Sequence, residues 1–136
     1  MTSPQATLKA MLEKDRFSQW LGLTVPEIAE GKARVVLTVR EEMLNGFDVL
    51  HGGITFALAD SAFAFAANSR NNLTLALDGQ ISFLKKVVSG DVLTAAVEEL
   101  HNGRSTGVYE VKITNQRNEL IAAFRGTAHR TGKELV

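Results

Sequence analysis

The chain contains no cysteine, which excludes disulfides, thiolate nucleophiles and sulfur-ligated metal sites together. Its three histidines, His51, His101 and His129, show no metal-ligand spacing, so we expect no metal site. The 15 lysines and arginines balance 15 aspartates and glutamates, which gives no reason to expect nucleic acid or an anionic membrane as a partner. These absences favour a small-molecule ligand or a protein partner.

Long apolar runs are missing as well. The longest weakly polar stretch, residues 52–67, contains Thr55, Asp60 and Ser61, and it is shorter than the ~20 residues that cross a bilayer. Residues 1–4 lack the basic and then apolar pattern of a signal peptide. We therefore expect a cytoplasmic protein in which residues 52–67 form a core helix.

Chain length and composition indicate one domain over residues 1–136, with an N-terminal helical segment at 1–20. There is no repeat or linker, and the two prolines, Pro4 and Pro26, mark no boundary. Leu8, Met11, Leu12 and Phe17 share one face at helical spacing within residues 5–20. This spacing predicts a short amphipathic helix packed on the outside of the domain.

Alternating apolar and polar residues predict six strands around that core helix. The predicted strands are a hairpin over residues 23–39, with Ala33, Val35, Leu37 and Val39 on one face, and runs at 73–83, 92–100, 107–115 and 120–130. In the run at 73–83 the residues expected on one face are Leu75, Leu77, Gly79, Ile81 and Phe83. The predicted fold class is α+β, an antiparallel sheet wrapped around one long central apolar helix.

Two adjacent glycines, Gly52 and Gly53, open the core helix, and Asp60 is its only ionisable residue. A helix that is apolar on every side is normally buried, and a lone buried carboxylate is costly unless something compensates. The N–H groups of an exposed helix N-terminus can polarise a carbonyl and stabilise an oxyanion, and glycines let a ligand approach them closely. Asp60 could supply the base or nucleophile.

Helix geometry separates these two groups. Gly52 and Asp60 are eight residues apart, which places them roughly 12 Å apart along the helix axis at about 1.5 Å per residue. They cannot both touch one reacting carbon. If both are catalytic, the site combines Gly52 of one subunit with Asp60 of another across a two-fold axis.

The motif resembles that of the hotdog-fold thioesterases of the PaaI type, which is associated with phenylacetic acid degradation. The residues that carry the resemblance are the His51-Gly52-Gly53 triplet at the helix start, Asp60 nine residues after the histidine, and Asn45 six residues before it. The resemblance implies a hotdog fold and hydrolysis of an aryl- or medium-chain acyl-CoA to free acid and coenzyme A. It also implies no cofactor, and a homodimer that assembles into a homotetramer.

The same resemblance implies roles for individual residues. Asp60 would be the nucleophile or general base, and the Gly52 amide would polarise the thioester carbonyl. Asn45 would hold the attacking water or the carbonyl region, and His51 would shape the loop through hydrogen bonds. Some relatives add a serine or threonine from the next strand, but the nearest register here is Ala76, two residues after Thr74, so no such helper is assigned.

Substrate contacts are predicted at Gly53, where a ligand can approach the amides, and at Phe56, which is first a core residue and second a lining of an acyl pocket. Coenzyme A phosphates need cationic partners. The candidates are Lys85 and Arg104, ahead of Lys86, Arg125 and Arg130.

Simpler interpretations stay open for several of these residues. Asp60 could be a structural carboxylate with backbone or Ser61 donors, Asn45-Gly46 could be only a turn, and the basic side chains could be solvated. Two other functions also remain: a hotdog hydratase or dehydratase acting through His51 and Asp60, and a non-catalytic acyl-CoA binding module.

Overall fold

The computed structural model describes residues 2–136, so Met1 of the predicted domain lies outside the described residues. The helices are α1 (Pro4–Lys14), α2 (Arg16–Leu21) and α3 (Gly52–Ala67), with a 3-10 turn at Glu41–Met43. The strands are β1 (Thr24–Ala29), β2 (Lys32–Thr38), β3 (Thr74–Phe83), β4 (Val92–Asn102), β5 (Thr106–Thr114) and β6 (Leu120–Arg130). The six strands form one antiparallel sheet in the order β1-β2-β4-β5-β6-β3.

The core lies between α3 and the face of the sheet that wraps around it, and α3 contacts all six strands. Period-2 alternation decides which strand residues enter this core. Three of the four inner strands contribute these buried apolar residues: Ala33, Val35 and Leu37 of β2, Leu93, Ala95 and Val97 of β4, and Tyr109, Val111 and Ile113 of β5. Burying each Val, Leu or Ile contributes about 1.5–3 kcal/mol. The predicted hotdog architecture is confirmed.

The central helix is buried on one side only, which corrects the expectation of a helix enclosed all round. Leu58, Ala59, Ala62 and Phe63 are buried, whereas Asp60 on the opposite face is exposed. Its apolar composition therefore reflects two environments: the sheet on one side, and on the other a face that the N-terminal helices cover only in part. No helix within residues 2–136 is both long and apolar enough to cross a membrane.

The N-terminal segment contains two helices where the sequence predicted one. Asp15 ends α1 and caps α2, because its carboxylate accepts the Ser18 N–H at 3.0 Å. Leu8 and Met11 pack against the core as expected. Phe17 does not: the break at Asp15 turns its ring outward, where it is 51% exposed.

Strand β3 differs from the predicted single apolar face. A register shift between Ala76 and Asp78 breaks the alternation, and β3 is an edge strand that pairs only with β6. Leu75 and Leu77, at the bulge, are exposed at 56% and 62%, and Phe83, whose ring lies beside Gly52 of α3, is 58% exposed at the sheet edge. The bulge changes which side chains face the helix, and a bulge is invisible to a strict period of two.

Candidate active site

The N-terminus of α3 is capped by the residue that precedes it. His51 Nδ1 accepts the Gly53 N–H at 2.8 Å, and the His51 carbonyl accepts the Ile54 N–H at 2.9 Å. Two of the amides that a helix leaves unpaired are thus satisfied locally. The Gly52 N–H donates to no acceptor within residues 2–136, so it is the amide that this helix terminus offers to a ligand.

Both glycines occupy positions where a side chain would meet a neighbour. A Cβ on Gly53 would lie 2.9 Å from His51 Nδ1, and a Cβ on Gly52 would lie 3.1 Å from Cζ of Phe83. Gly53 is therefore required by the cap itself. Gly52 keeps the approach to its own amide open beside the Phe83 ring. The predicted contact of Gly53 with substrate stays a prediction.

A cavity of about 390 Å³ opens beside Gly52. Phe83, Lys85 and Lys86 contribute to its walls from the end of β3 and the segment after it. Lys85 Nζ lies 2.7 Å from Glu119 Oε2. Hydrogen bonds from Lys85 above all, then from neighbouring donors, lower the pKa of Glu119 to about 2. Lys85 thus borders the Gly52 cavity, already paired with a carboxylate.

Asp60 lies further along α3, on its exposed face, and borders a second cavity of about 420 Å³. Its carboxylate accepts no hydrogen bond from residues 2–136. The Asp60 side chain is exposed, but neighbouring atoms remove water from part of its carboxyl group, and this desolvation raises the pKa of Asp60. The negative charge of Asp15 raises the pKa of Asp60 further. Ser61 is not its donor, because the Ser61 hydroxyl pairs with Ser18 at 3.0 Å. An ionised Asp60 is therefore an unpartnered base.

The structure keeps the two principal site residues apart within one protomer. Gly52 lines the first cavity and Asp60 lines the second, and neither cavity includes both residues. This agrees with the separation of roughly 12 Å expected from the helix rise. Within a single chain they do not form one site.

Asn45 is held in the loop that leads to α3. Its Oδ1 accepts the N–H groups of Phe47 at 2.9 Å and Val49 at 3.4 Å, and its own N–H donates to the Val49 carbonyl at 2.8 Å. These bonds give Asn45 the turn role that the sequence left open. Its role toward a water or a carbonyl stays a prediction.

Two phenylalanines of α3 have different surroundings: Phe56 packs against the sheet, and Phe63 lines the Asp60 cavity. Phe56 packs edge-to-face on Phe124, with ring centroids 5.5 Å apart, and it does not line the Asp60 cavity. Phe63 is 1% exposed and lines that cavity. The aromatic wall beside Asp60 is therefore Phe63, while Phe56 stays only a predicted substrate contact.

The basic candidates do not converge in one protomer. The Lys85 N–H donates to the carbonyl of Ile121 near the start of β6, whereas Arg104 lies in the β4–β5 turn, beside the other end of β6. Arg130 is 7% exposed, and its guanidinium donates to the Tyr109 hydroxyl and the Ala67 carbonyl. Arg130 is thus a structural residue that closes the C-terminal end of α3, which corrects its place among the phosphate candidates.

Thr74 lies two residues before Ala76, the position at which the resemblance implies a helper hydroxyl. It lines the Asp60 cavity, but its hydroxyl donates to the Asn72 carbonyl at 2.6 Å and accepts from Arg130 at 3.4 Å. The Thr74 hydroxyl is therefore engaged within the fold, and no helper is assigned on this strand.

Sequence reasoning missed the residues that complete the Asp60 cavity from outside α3. Besides residues of β3, β6 and the α3–β3 connection, they include Met11, Lys14 and Asp15 from the N-terminal segment and Leu135 from the last residues. The Asp15-x-x-Ser18 spacing is an N-cap signal that could have divided the predicted helix. Nothing in the sequence pointed from that cap to Asp60, because the two are distant along the chain.

The comparisons with known proteins agree with this architecture. The sequence profile of the thioesterase superfamily matches residues 47–122, more than half of the chain and the part that holds the Gly52 terminus and Asp60. The chain is 44% identical to the acyl-coenzyme A thioesterase PaaI of Escherichia coli K12 over 90% of this chain and 88% of that protein.

Solved structures extend the likeness to three dimensions. The PaaI protein of the E. coli phenylacetic acid degradation operon superposes with a TM-score of 0.94 at 41% identity, covering 96% of this chain and 95% of that one. A hypothetical thioesterase of Streptococcus pneumoniae solved with coenzyme A superposes with a TM-score of 0.79 at 30% identity, covering 82% and 90%. The chain belongs to the thioesterase superfamily.

Proposed function

We propose that this protein is an acyl-CoA thioesterase that hydrolyses an aryl- or medium-chain acyl-CoA to a free acid and coenzyme A. Membership of the thioesterase superfamily and 44% identity to the E. coli acyl-coenzyme A thioesterase PaaI support the reaction class. The observation that carries the mechanism is the pair of unpartnered groups on α3: the Gly52 amide at its start and the Asp60 carboxylate on its exposed face.

The active site is composite. Two protomers related by a two-fold axis pack the exposed faces of α3 against each other with the helices antiparallel, so that Gly52 of one subunit meets Asp60 of the other. The exposed apolar side chains of the edge strand support such packing, since Leu75 and Leu77 are 56% and 62% exposed in the protomer. Asp60 is then desolvated further, which makes it a stronger base.

Hydrolysis needs one nucleophile and one stabilised oxyanion. Asp60 either removes a proton from a water molecule whose oxygen attacks the thioester carbonyl, or attacks that carbonyl directly, and water then hydrolyses the anhydride. The Gly52 N–H donates to the carbonyl oxygen as negative charge develops on it. The carbon–sulfur bond breaks, and the sulfur leaves as coenzyme A thiolate, which takes up the proton. Water is the only co-reactant, so no cofactor is required.

The two cavities fit the two ends of an acyl-CoA. The Asp60 cavity of about 420 Å³, with Phe63 and Leu75 in its walls, matches an aryl or medium-length acyl group. The Gly52 cavity carries Lys85 and Lys86 at its border, and these cations suit the phosphates. Arg104, distant from Lys85 in one protomer, joins the phosphate site only if the partner brings it there. We further infer a homotetramer of such dimers in the cytoplasm.

A thiol-release assay tests the reaction class. Release of free thiol from a panel of aryl and aliphatic CoA esters should identify the preferred acyl group. Water addition to an enoyl-CoA with no thiol release would instead favour a hydratase. Tight binding of CoA esters without turnover would favour a binding module.

A mixing experiment tests the composite site. Asp60→Asn and Gly52→Val homodimers should each be inactive, but a heterodimer of the two retains one intact site, made of Gly52 from the first and Asp60 from the second. Random exchange at equal amounts should then restore about one quarter of wild-type activity, because half of the dimers are mixed and each has one working site of two. No restoration after verified subunit exchange would contradict the composite site.

A further inference from the structure

A hydrogen-bonded chain connects the junction of α1 and α2 to the central helix beside Asp60. Asp15 Oδ2 accepts the Ser18 hydroxyl at 2.6 Å, and Ser18 Oγ lies 3.0 Å from Ser61 Oγ. Because Ser18 has one hydroxyl proton and gives it to the carboxylate, Ser61 is the donor to Ser18. The order is therefore Ser61 to Ser18 to Asp15, and it ends on the Asp15 carboxylate.

This chain fixes Asp15 next to the reacting carboxylate. Ser61 is adjacent to Asp60 in sequence, Ser18 is 1% exposed, and Asp15 lines the same cavity as Asp60. The Asp15 carboxylate is further held by the Ser18 N–H at 3.0 Å, the cap of α2. Two hydrogen bonds from Ser18, whose hydroxyl is itself held by Ser61, thus fix the Asp15 carboxylate in a defined position on the wall of the cavity.

We propose, on the basis of the proposed function, that Asp15 is a positioning residue whose fixed negative charge makes Asp60 a stronger base. Repulsion between two carboxylates disfavours the ionised form of each, and a largely apolar cavity screens that repulsion less than bulk water. The pKa of Asp60, raised first by desolvation, is raised further by Asp15, in agreement with this geometry.

The remaining charges near Asp60 are few. Of the described residues that line its cavity, Lys14, Asp15 and Asp60 carry charge, and the walls contributed by β3, β6, Leu135 and the rest of α3 are uncharged. Lys14 is exposed at the end of α1, and its ammonium opposes the effect of Asp15. The tethered, partly buried carboxylate outweighs the exposed ammonium because solvent screens an exposed charge more strongly.

The test compares Asp15→Asn with Glu13→Gln in the full-length protein. Asparagine retains the N-cap of α2 and removes only the charge. Glu13 lines a different cavity, between α1 and β1, so Glu13→Gln is a charge-matched control outside the Asp60 site. We expect the acidic limb of the pH profile of kcat/KM to move to lower pH in Asp15→Asn and to stay at the wild-type position in Glu13→Gln.

The titration of Asp60 is followed independently of activity through the 13C chemical shift of its carboxyl carbon. The midpoint should fall in Asp15→Asn, and added salt should lower it in the wild type more than in the variant. An unchanged midpoint in Asp15→Asn overturns the proposal. If the midpoint falls but Asp60→Asn remains active, the coupling between the two carboxylates stands and the catalytic role of Asp60 fails, so the two failures are distinguishable.

Ser18→Ala provides a second variant that keeps both charges and removes the tether. It should give a smaller shift of the Asp60 midpoint than Asp15→Asn, because the Asp15 carboxylate remains but is no longer held in place. A shift as large as that of Asp15→Asn would mean that helix placement, and not the charge, is responsible, and it would also overturn the proposal.

Discussion

His51 Nδ1 and the Gly53 amide nitrogen lie 2.8 Å apart, in a hydrogen bond that joins the preceding loop to the first turn of α3. This bond gives the two adjacent glycines different roles. The Gly53 N–H already donates its hydrogen bond to His51, and the Gly52 N–H remains free to donate to a ligand. A structural histidine thereby defines which backbone donor can act on a substrate.

The cap predicts that His51 contributes measurably to the stability of the protein. His51→Ala should lower the free energy of unfolding by about 1 kcal/mol, because the Gly53 N–H loses its acceptor. His51→Asn should recover most of that loss, since asparagine is a good N-cap residue. Urea unfolding of the three proteins measures both effects, and an alanine variant as stable as the wild type would show that the bond is not a cap.

Gly52 is predicted to matter for turnover more than for folding. In Gly52→Val the branched side chain projects from a Cβ that lies 3.1 Å from Cζ of Phe83, so it crowds the approach to the free amide. We expect kcat/KM for thiol release to fall roughly 10²- to 10³-fold, as when one oxyanion donor is lost. Gly46→Ala is the matched control, because a Cβ there meets nothing within 4 Å. Equal activity in Gly52→Val and the control would exclude Gly52 from the site.

Asp60→Asn should lower kcat roughly 10²- to 10⁴-fold, because the amide can neither accept a proton nor attack a carbonyl. Binding of a CoA ester and the oligomeric state should persist. Glu98→Gln removes an exposed carboxylate from β4 and should leave turnover unchanged. Retention of most activity in Asp60→Asn would remove its proposed role.

The same variant should change how stability depends on pH. Because desolvation and then Asp15 raise the pKa of Asp60 in the folded state, the fold loses stability as pH rises through that pKa and Asp60 ionises. Above this range Asp60→Asn should be at least as stable as the wild type, and the gain should vanish at lower pH, where Asp60 is protonated in both states. Thermal unfolding at several pH values measures the difference.

Glu99, which lines neither the Gly52 cavity nor the Asp60 cavity, is predicted to stabilise the fold. Its carboxylate accepts hydrogen bonds from Arg70 at 2.7 and 2.9 Å and from the Tyr109 hydroxyl at 2.7 Å. Burial alone would raise the pKa of Glu99, but these bonds outweigh it and lower the pKa. Glu99→Gln should therefore lower the free energy of unfolding by about 2 kcal/mol at neutral pH. The difference should shrink as pH falls and Glu99 is protonated; a constant difference would contradict this.

Local patterns predicted much of the fold and the candidate site. Alternation placed Ala33, Val35 and Leu37 in the core, and the apolar run of α3 gave both its bounds and its place, because residues two or four positions apart share a face whatever surrounds them. The same local logic located the Gly52 terminus and Asp60, and the helix rise separated them.

Other features depend on contacts between distant segments. The exposure of Asp60 depends on which side of α3 the sheet covers, and the separation of Lys85 from Arg104 depends on the pairing of β6 with its neighbours. The bulge in β3 altered the face of Leu75 and Leu77 through its register with β6.

The sequence by itself determined the kinds of elements, their order and the reactive groups at the start and in the middle of α3, because these follow from the spacing of neighbouring residues. Only the tertiary structure decided that Asp15 lies beside Asp60 and that Asp60 is on the exposed side of α3. Those facts are distances between groups that the chain brings together by packing and hydrogen bonding, and no local pattern encodes them.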